Sequence, residues 1–239
     1  MALFKPVSVV SQPLVTDLSL RVSEIFYSLQ GESSWVGFPT VFVRLTGCPL
    51  RCSYCDTPYS FKGGSVKPLS VLIDEIDAYK NEYICVTGGE PLAQSNCIIF
   101  LTQLCDKGYK VSLETSGALD IADVDPRVKR IVDLKTPSSK ELDKNRYENI
   151  PLLVPQDEVK FVICNREDFL WSVDIIYQYQ LYDRVDNILF SPVFDVEGVI
   201  QREDDFNEQL LAQWILEGQL PVRMQMQMHK LIWGDESGR

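Results

Sequence analysis

Cys48-Pro49-Leu50-Arg51-Cys52-Ser53-Tyr54-Cys55 follows closely on Pro39 to Leu45, an apolar, β-branched run suited to a buried strand. Three thiols within eight residues, at offsets of four and three, make a metal-binding pattern. A structural zinc site normally recruits a fourth Cys or His, and an electron-carrying iron–sulfur centre normally uses four cysteines. Neither fourth ligand is near in the sequence. Three thiolates on a four-iron cluster would leave one iron open to a non-protein ligand, which turns an electron carrier into a reactive centre. A zinc loop and partly buried free thiols are the competing readings of this spacing.

Outward from this loop, short β-prone runs recur at Tyr83 to Thr87, Lys110 to Glu114, Arg130 to Leu134, Glu158 to Ile163, Asn187 to Ser191 and Val222 to Gln227. Between them, apolar residues at helical spacing predict helices over Leu69 to Lys80 with Ser70 as cap, Asn96 to Lys107 stopped by Gly108, Asp168 to Gln180, and Asn207 to Leu216. Strand and helix alternating at this length predict a parallel sheet with right-handed crossovers. Seven strands and about four helices are too few for a closed eight-fold barrel, so the expected fold is α/β, an open partial (β/α) barrel with a mostly parallel sheet. Residues 1–20, with Pro6 and Pro13 and little periodicity, read as an irregular N-terminal arm, and 21–239 as one domain. Alternating Met224, Met226 and Met228 suit a last strand with one face packed inward.

Ligands of such sheets bind at the carboxyl ends of the strands. Polar motifs stand at those ends: Thr87-Gly88-Gly89-Glu90-Pro91, Glu114-Thr115-Ser116-Gly117 and Asp133-Leu134-Lys135. The glycine pair lets backbone approach a ligand closely, although a Gly-Gly alone is usually a turn. Glu114, Ser116 and Lys135 also read as ordinary strand-end polar groups.

A formal net charge of -11 argues against a surface that wraps nucleic acid. No apolar run approaches the length of a membrane span, and the first residues lack the pattern of a secretory signal, so a cytoplasmic protein is expected. Seven cysteines, odd in number and with three clustered, fit a reducing compartment and a metal site better than a disulfide framework. Cys85, Cys97, Cys105 and Cys164 fall in apolar runs and read as small core residues, with Cys164 as a remote candidate for a distant ligand.

The CxxxCxxC loop after a strand, joined to Gly88-Gly89-Glu90-Pro91, resembles the radical S-adenosylmethionine (radical SAM) superfamily. The resemblance implies that Cys48, Cys52 and Cys55 hold a [4Fe-4S] cluster whose fourth iron takes the amine and carboxylate of SAM. It further implies that Gly88, Gly89 and Glu90 meet the SAM amine, and that Glu114, Ser116, Asp133 and Lys135 approach the rest of that cofactor.

A second set of motifs narrows the family. Phe26-Tyr27-Ser28-Leu29-Gln30-Gly31-Glu32, Arg44, Cys55-Asp56-Thr57 and Gln227-Met228-His229-Lys230 together resemble the 7-carboxy-7-deazaguanine synthases, from about Val22 to Gly234. This implies a rearrangement of 6-carboxy-5,6,7,8-tetrahydropterin to 7-carboxy-7-deazaguanine with loss of ammonia, on the route to queuosine. A SAM-derived radical would abstract hydrogen beside the pterin carboxylate, and SAM would be recycled. Leu29, Gln30, Gly31, Glu32 and Thr87 would touch the pterin, Arg44 its carboxylate, and Thr57 a Mg²⁺ ion; His229 joins the substrate group as a lone histidine. The alternatives are a strand-end salt bridge for Arg44, a helix cap for Thr57 and a structural role for His229. A homodimer and an electron-donating reductase or flavodoxin are also implied.

The chain departs from that family at Ser33-Ser34-Trp35, where a glycine often follows the Gln-Gly-Glu, and at Ser191-Pro192-Val193-Phe194, which lacks a Gln-Pro pair. Competing readings are a glycyl-radical activase, which shares the cysteine spacing and acts on a protein, and a non-catalytic iron–sulfur or zinc module. The Leu-Gln-Gly-Glu loop and the terminal Gln-x-His-Lys speak against the first.

Overall fold

The computed structural model describes residues 18–194, 206–234, 236 and 238. In chain order the elements are β1 (Ser19–Leu29), β2 (Pro39–Leu45), β3 (Ser65–Pro68), α1 (Leu69–Asp77), β4 (Tyr83–Gly88), α2 (Asn96–Asp106) and β5 (Lys110–Thr115). They continue with β6 (Lys129–Asp133), β7 (Glu158–Ile163), α3 (Arg166–Gln178), β8 (Asn187–Pro192), α4 (Glu208–Glu217), β9 (Arg223–Met224) and α5 (Met228–Trp233). Among the described residues they form one sheet in the order β3-β1-β2-β4-β5-β6-β7-β8-β9. From β2 to β9 neighbouring strands are parallel, whereas β1 pairs antiparallel with both β2 and β3. β3 and β9 remain edges, so the sheet is an open partial barrel, as expected.

Two strands were not anticipated. β1 reads poorly as a strand because only Leu20 and Val22 are buried in it, while Phe26 lines an internal cavity and Glu24 pairs with Arg44 of the cavity wall. β3 is a four-residue edge with exposed side chains. The predicted irregular arm is therefore corrected at Ser19 and Leu20, which are strand; its positions 1–17 lie outside the described residues. The last predicted strand shrinks to Arg223–Met224, since Met228 already opens α5, so the three methionines do not share a strand face.

The α1 cap is also corrected: Pro68 occupies the N-cap without a side-chain bond, and Ser70 lies inside the helix. α3 starts at Arg166 because Asn165 caps it, accepting from the Asp168 N–H, and Asn207 caps α4 in the same way through Leu210. Gly108 ends α2 at φ 88°, a conformation that glycine adopts without steric cost. The β5–β6 and β6–β7 connections carry no α-helix among the described residues. In the β6–β7 connection short 3₁₀ turns at Pro137–Ser139, Leu142–Lys144 and Tyr147–Leu152 take its place. Buried Asn149 pins these loops by donating to the carbonyls of Gly117 (2.9 Å) and Leu119 (2.8 Å).

The core lies between the outer sheet face and the helices. Ile84, Val86, Leu113 and Ile163 from the strands meet Phe100, Leu101 and Leu104 of α2 and Phe169 and Ile176 of α3 in one buried cluster. Each such side chain contributes about 1.5–3 kcal/mol by leaving water. The antiparallel β1 delivers the chain to the amino ends of the parallel strands, and the 30–38 loop closes that end. Trp35 packs edge-on against Tyr83 (centroids 5.2 Å apart) and Phe38 stacks on the same ring at 4.8 Å. The Ser34 N–H donates to Glu158 at 3.0 Å, and Glu158 pairs with Lys129 at 2.9 Å. Tyr83, Lys129 and Glu158 are the first residues of β4, β6 and β7. With its floor sealed, the interior opens toward the carboxyl ends. No helix of the described residues is long and apolar enough to cross a membrane.

Candidate active site

A cavity of about 270 Å³ occupies that interior. It gathers every sequence-predicted site residue except one: Leu29, Gln30, Gly31, Glu32, Arg44, Cys48, Cys52, Cys55, Thr57, Thr87, Gly88, Gly89, Glu114, Ser116, Asp133, Lys135 and His229 all line it. Glu90 does not. Its fully buried carboxylate caps the Leu92 N–H (3.0 Å) and accepts from Thr115 Oγ1 (2.9 Å), Ser116 N (2.7 Å) and Ser116 Oγ (2.5 Å). Glu90 thus holds Ser116 at the cavity wall from behind.

The cysteine loop is braced by the turn after β6. Ser53 N donates to the Ser139 carbonyl at 3.0 Å, Arg51 N donates to Glu141 Oε1 at 2.5 Å, and the Arg51 guanidinium lies 4.3 Å from the Phe61 ring centroid. Cys48, Cys52 and Cys55 are half-buried, and none of the seven cysteines forms a disulfide. Burial pushes all three thiols above their usual range, Cys52 to about 11, while the ammonium of Lys135 pulls each of them back. Among the described residues no three His, Cys, Asp or Glu side chains converge on a single metal ion. Three thiols arrayed around a shared cavity beside a cation fit a multi-iron cluster, whose thiolate charge that cation offsets. Cys85, Cys97, Cys105 and Cys164 are buried, and none of them lines the cavity.

The glycine pair at the end of β4 owes its composition to this loop. A β-carbon on Gly88 would come within 2.2 Å of the Leu45 carbonyl oxygen, and one on Gly89 within 2.3 Å of the Gly47 oxygen and 2.8 Å of Cys48 Cβ. Gly89 N and Glu90 N donate to the Leu45 and Gly47 carbonyls (3.1 and 2.8 Å), so the two motifs are hydrogen-bonded together. Thr87 Oγ1 donates to Glu114 Oε2 at 2.8 Å across β4 and β5.

The opposite wall is the 29–33 turn, clamped by the C-terminal segment. Met228 N donates to the Gly31 carbonyl (3.0 Å), Gln227 Nε2 donates to Glu32 Oε1 (2.7 Å), and Gln225 Oε1 accepts from Ser33 N (2.6 Å). Ser33 adopts φ 64°, the left-handed region, and its Oγ accepts from Trp35 N at 3.1 Å. Glu32 is also ion-paired with Lys160. Burial would raise the Glu32 carboxyl, but the Lys160 ammonium, His229 and the Gln227 amide together outweigh it and hold the group down at about 2. Burial lowers the His229 imidazole. Gln30 is buried with its Oε1 accepting from Glu32 N (3.2 Å) and its side chain against the buried Cys85 thiol.

Arg44 Nε donates to Glu24 Oε1 at 2.7 Å, and Tyr59 donates to the same oxygen at 2.9 Å. The strand-end salt bridge weighed from sequence therefore exists, yet it uses only the Nε edge of the guanidinium. Thr57 precedes a 3₁₀ turn (Pro58–Phe61) without capping it through its hydroxyl. Sequence reasoning passed over Lys160, Glu24 and Asp56 as site residues. The signal for Lys160 was available: a lysine inside the otherwise buried run Glu158–Ile163 needs a buried partner.

Residues 42–201 match the Radical SAM superfamily. A protein of Koribacter versatilis named 7-carboxy-7-deazaguanine synthase is 41% identical over 223 residues, covering 91% of this chain and 99% of its own length. A Chlorobaculum tepidum protein of the same name is 40% identical over 225 residues, covering 93% and 98%. The crystal structure of QueE from Escherichia coli superposes with a TM-score of 0.63 at 20% identity, over 88% of this chain and 95% of that one, a likeness of fold. Such identity along nearly the whole length, with the superfamily match over more than half of it, shows that the chain belongs to the 7-carboxy-7-deazaguanine synthases, enzymes of the radical SAM superfamily.

Proposed function

We propose that this enzyme converts 6-carboxy-5,6,7,8-tetrahydropterin into 7-carboxy-7-deazaguanine with loss of ammonia, a lyase step toward queuosine and related 7-deazapurines. The observation that carries this reading is a single cavity walled on one side by three half-buried cysteines and on the other by the Gln30-Gly31-Glu32 turn locked under Gln227-Met228-His229. The full-length relatives favour it over a glycyl-radical activase and over a non-catalytic metal module.

Cys48, Cys52 and Cys55 would hold a [4Fe-4S] cluster, and Gly88 and Gly89 would let SAM approach the strand end. Glu114, Ser116, Asp133 and Lys135 would line the rest of the SAM site, with Glu90 positioning Ser116 in place of direct contact. When bound, the cluster and SAM supply the one-electron chemistry that this chain's side chains lack.

The chain's own work is binding, orientation and exclusion of water. Leu29, Gln30, Gly31 and Glu32 would present amide, carbonyl and carboxylate groups to the pterin, with Thr87 and His229 beside it. The remaining edge of Arg44 suits the pterin carboxylate as a two-pronged donor. Thr57 would offer its hydroxyl oxygen to Mg²⁺, a hard cation that favours oxygen ligands and retained water. The plug at Trp35 and Phe38 keeps solvent from entering through the floor. A flavodoxin or reductase as electron source, a homodimer and a cytoplasmic setting complete the proposal.

The test is anaerobic turnover. The reconstituted enzyme with SAM, Mg²⁺, reductant and 6-carboxytetrahydropterin should form 7-carboxy-7-deazaguanine, and Cys52→Ala should form none. Cleavage of SAM to 5′-deoxyadenosine without that product would refute the substrate; absence of any SAM binding by an intact cluster would refute the enzyme reading.

A further inference from the structure

One buried charge at the cavity has no part in the scheme above. Lys160 sits mid-strand in β7, and an ammonium is costly to bury without counter-charges. It meets two: Glu32 from the 29–33 turn, in direct ion pair, and Asp133 of β6 at 4.0 Å. Asp133 and Lys160 are register partners on neighbouring strands, and Lys135 lies 3.2 Å from Asp133 on its other side. Charges of alternating sign therefore run Glu32, Lys160, Asp133, Lys135 across the cavity, ending beside Cys52, on which Lys135 acts.

Glu32 is the end of this row that faces the proposed pterin. Its Oε1 accepts from Gln227 at 2.7 Å, and its Oε2 accepts from Lys160 and, at 3.3 Å, from Gln225. A carboxylate offers about four acceptor directions. Three are filled from this chain, which leaves one for a ligand N–H. We infer that Lys160 is a positioning residue for substrate: its ammonium keeps Glu32 an ionised acceptor held against the Gln225 and Gln227 amides, so that the site selects a ligand presenting an N–H donor, as the pterin ring edge does. The inference rests on the proposed contact between Glu32 and the pterin.

The charged and titratable groups facing Glu32 are Lys160 and His229, and those facing Lys160 are Glu32, Asp133 and Glu114. Without the ammonium, Glu32 is a buried carboxyl with no full counter-charge, and such a group takes up a proton and becomes a donor. A donor facing a ligand N–H repels it.

The experiment titrates pterin-6-carboxylate, a fluorescent and unreactive probe, into reconstituted wild type, Lys160→Met and Lys160→Arg between about pH 5.5 and 7.5, alongside steady-state turnover. The expected result is binding weakened about tenfold or more in Lys160→Met, recovering as pH rises, flat in wild type, and within a few-fold of wild type in Lys160→Arg; KM should change more than kcat. Binding by Lys160→Met within twofold of wild type across that range would overturn the inference. Should Lys160→Met fail to fold, Glu32→Gln and the double variant Glu32→Gln/Lys160→Met decide it. A double variant that binds no worse than Glu32→Gln supports a role exerted through Glu32, and a further tenfold loss refutes it. Wild type that binds the probe but makes no product refutes the proposed reaction and leaves this inference standing; wild type that does not bind the probe overturns both.

Discussion

The imidazole of His229 lies directly on Gly31: a β-carbon at that glycine would come within 2.1 Å of Nδ1 and 2.9 Å of the His229 backbone nitrogen. The second contact is with backbone, so rotating the imidazole away is not enough to relieve it. Chain separated by almost the whole sequence is locked here into one wall of the cavity.

Gly31→Ala should therefore displace the Gln227 to His229 segment more than it unfolds the protein. We expect KM for the pterin to rise about tenfold or more, while 5′-deoxyadenosine formed without substrate changes little. Steady-state kinetics beside an assay of uncoupled SAM cleavage checks the split. Equal loss of both would mean that the clamp serves the cofactor.

Gly89→Ala acts on the other wall. Its added carbon meets the Gly47 oxygen at 2.3 Å and Cys48 Cβ at 2.8 Å, so the cysteine loop itself must shift. Overpacking of this kind costs about 1–3 kcal/mol. The variant should melt several degrees lower and hold less iron per chain after reconstitution, as read by thermal unfolding and iron analysis.

Acid should weaken the fold through Glu32. Its folded carboxyl lies below the ordinary 4.5, at about 2, so the stability it contributes is present above about pH 4.5 and is lost as pH falls toward 2. The size is on the order of 3 kcal/mol for a shift of this kind. Urea unfolding of wild type should show that loss. Glu32→Gln should be less stable than wild type at pH 7, because Lys160 loses its direct partner, and should show a shallower fall in acid.

Arg44→Lys should keep a positive charge near Glu24 yet lose the planar fork. Loss of a charged hydrogen bond is worth about 1.5–3 kcal/mol, or roughly 10- to 150-fold in KM for the pterin. Substrate kinetics with the carboxylate-bearing pterin, set against binding of unsubstituted pterin, tests it: the two ligands should differ less in the variant than in wild type.

Much of this was legible before any coordinates. Cys48, Cys52 and Cys55 announce a metal loop by covalent proximity alone, Pro39–Leu45 declares a buried strand by its apolar, β-branched run, and Tyr83–Gly88 and Lys110–Thr115 read as strands from their β-prone residues. Gly108 marked a helix end for a local reason of backbone freedom, whereas the capping role of Asn207 came from the structure. β1 escaped notice because Phe26 serves the cavity and Glu24 pairs with Arg44 beside it, which breaks the apolar alternation by which strands are read.

The sequence by itself determined the alternation of parallel strands with their helices and the identity of the cysteine loop, because those follow from local periodicity and short spacing. Only the tertiary structure decided that Glu90 supports Ser116 from behind, that Lys160 and Asp133 join the two walls, and that Gly31 is glycine because His229 rests on it. Each of these is a contact between residues far apart in the chain. Burial makes such contacts strong, since a charge or a close approach that water would tolerate must there find its one partner.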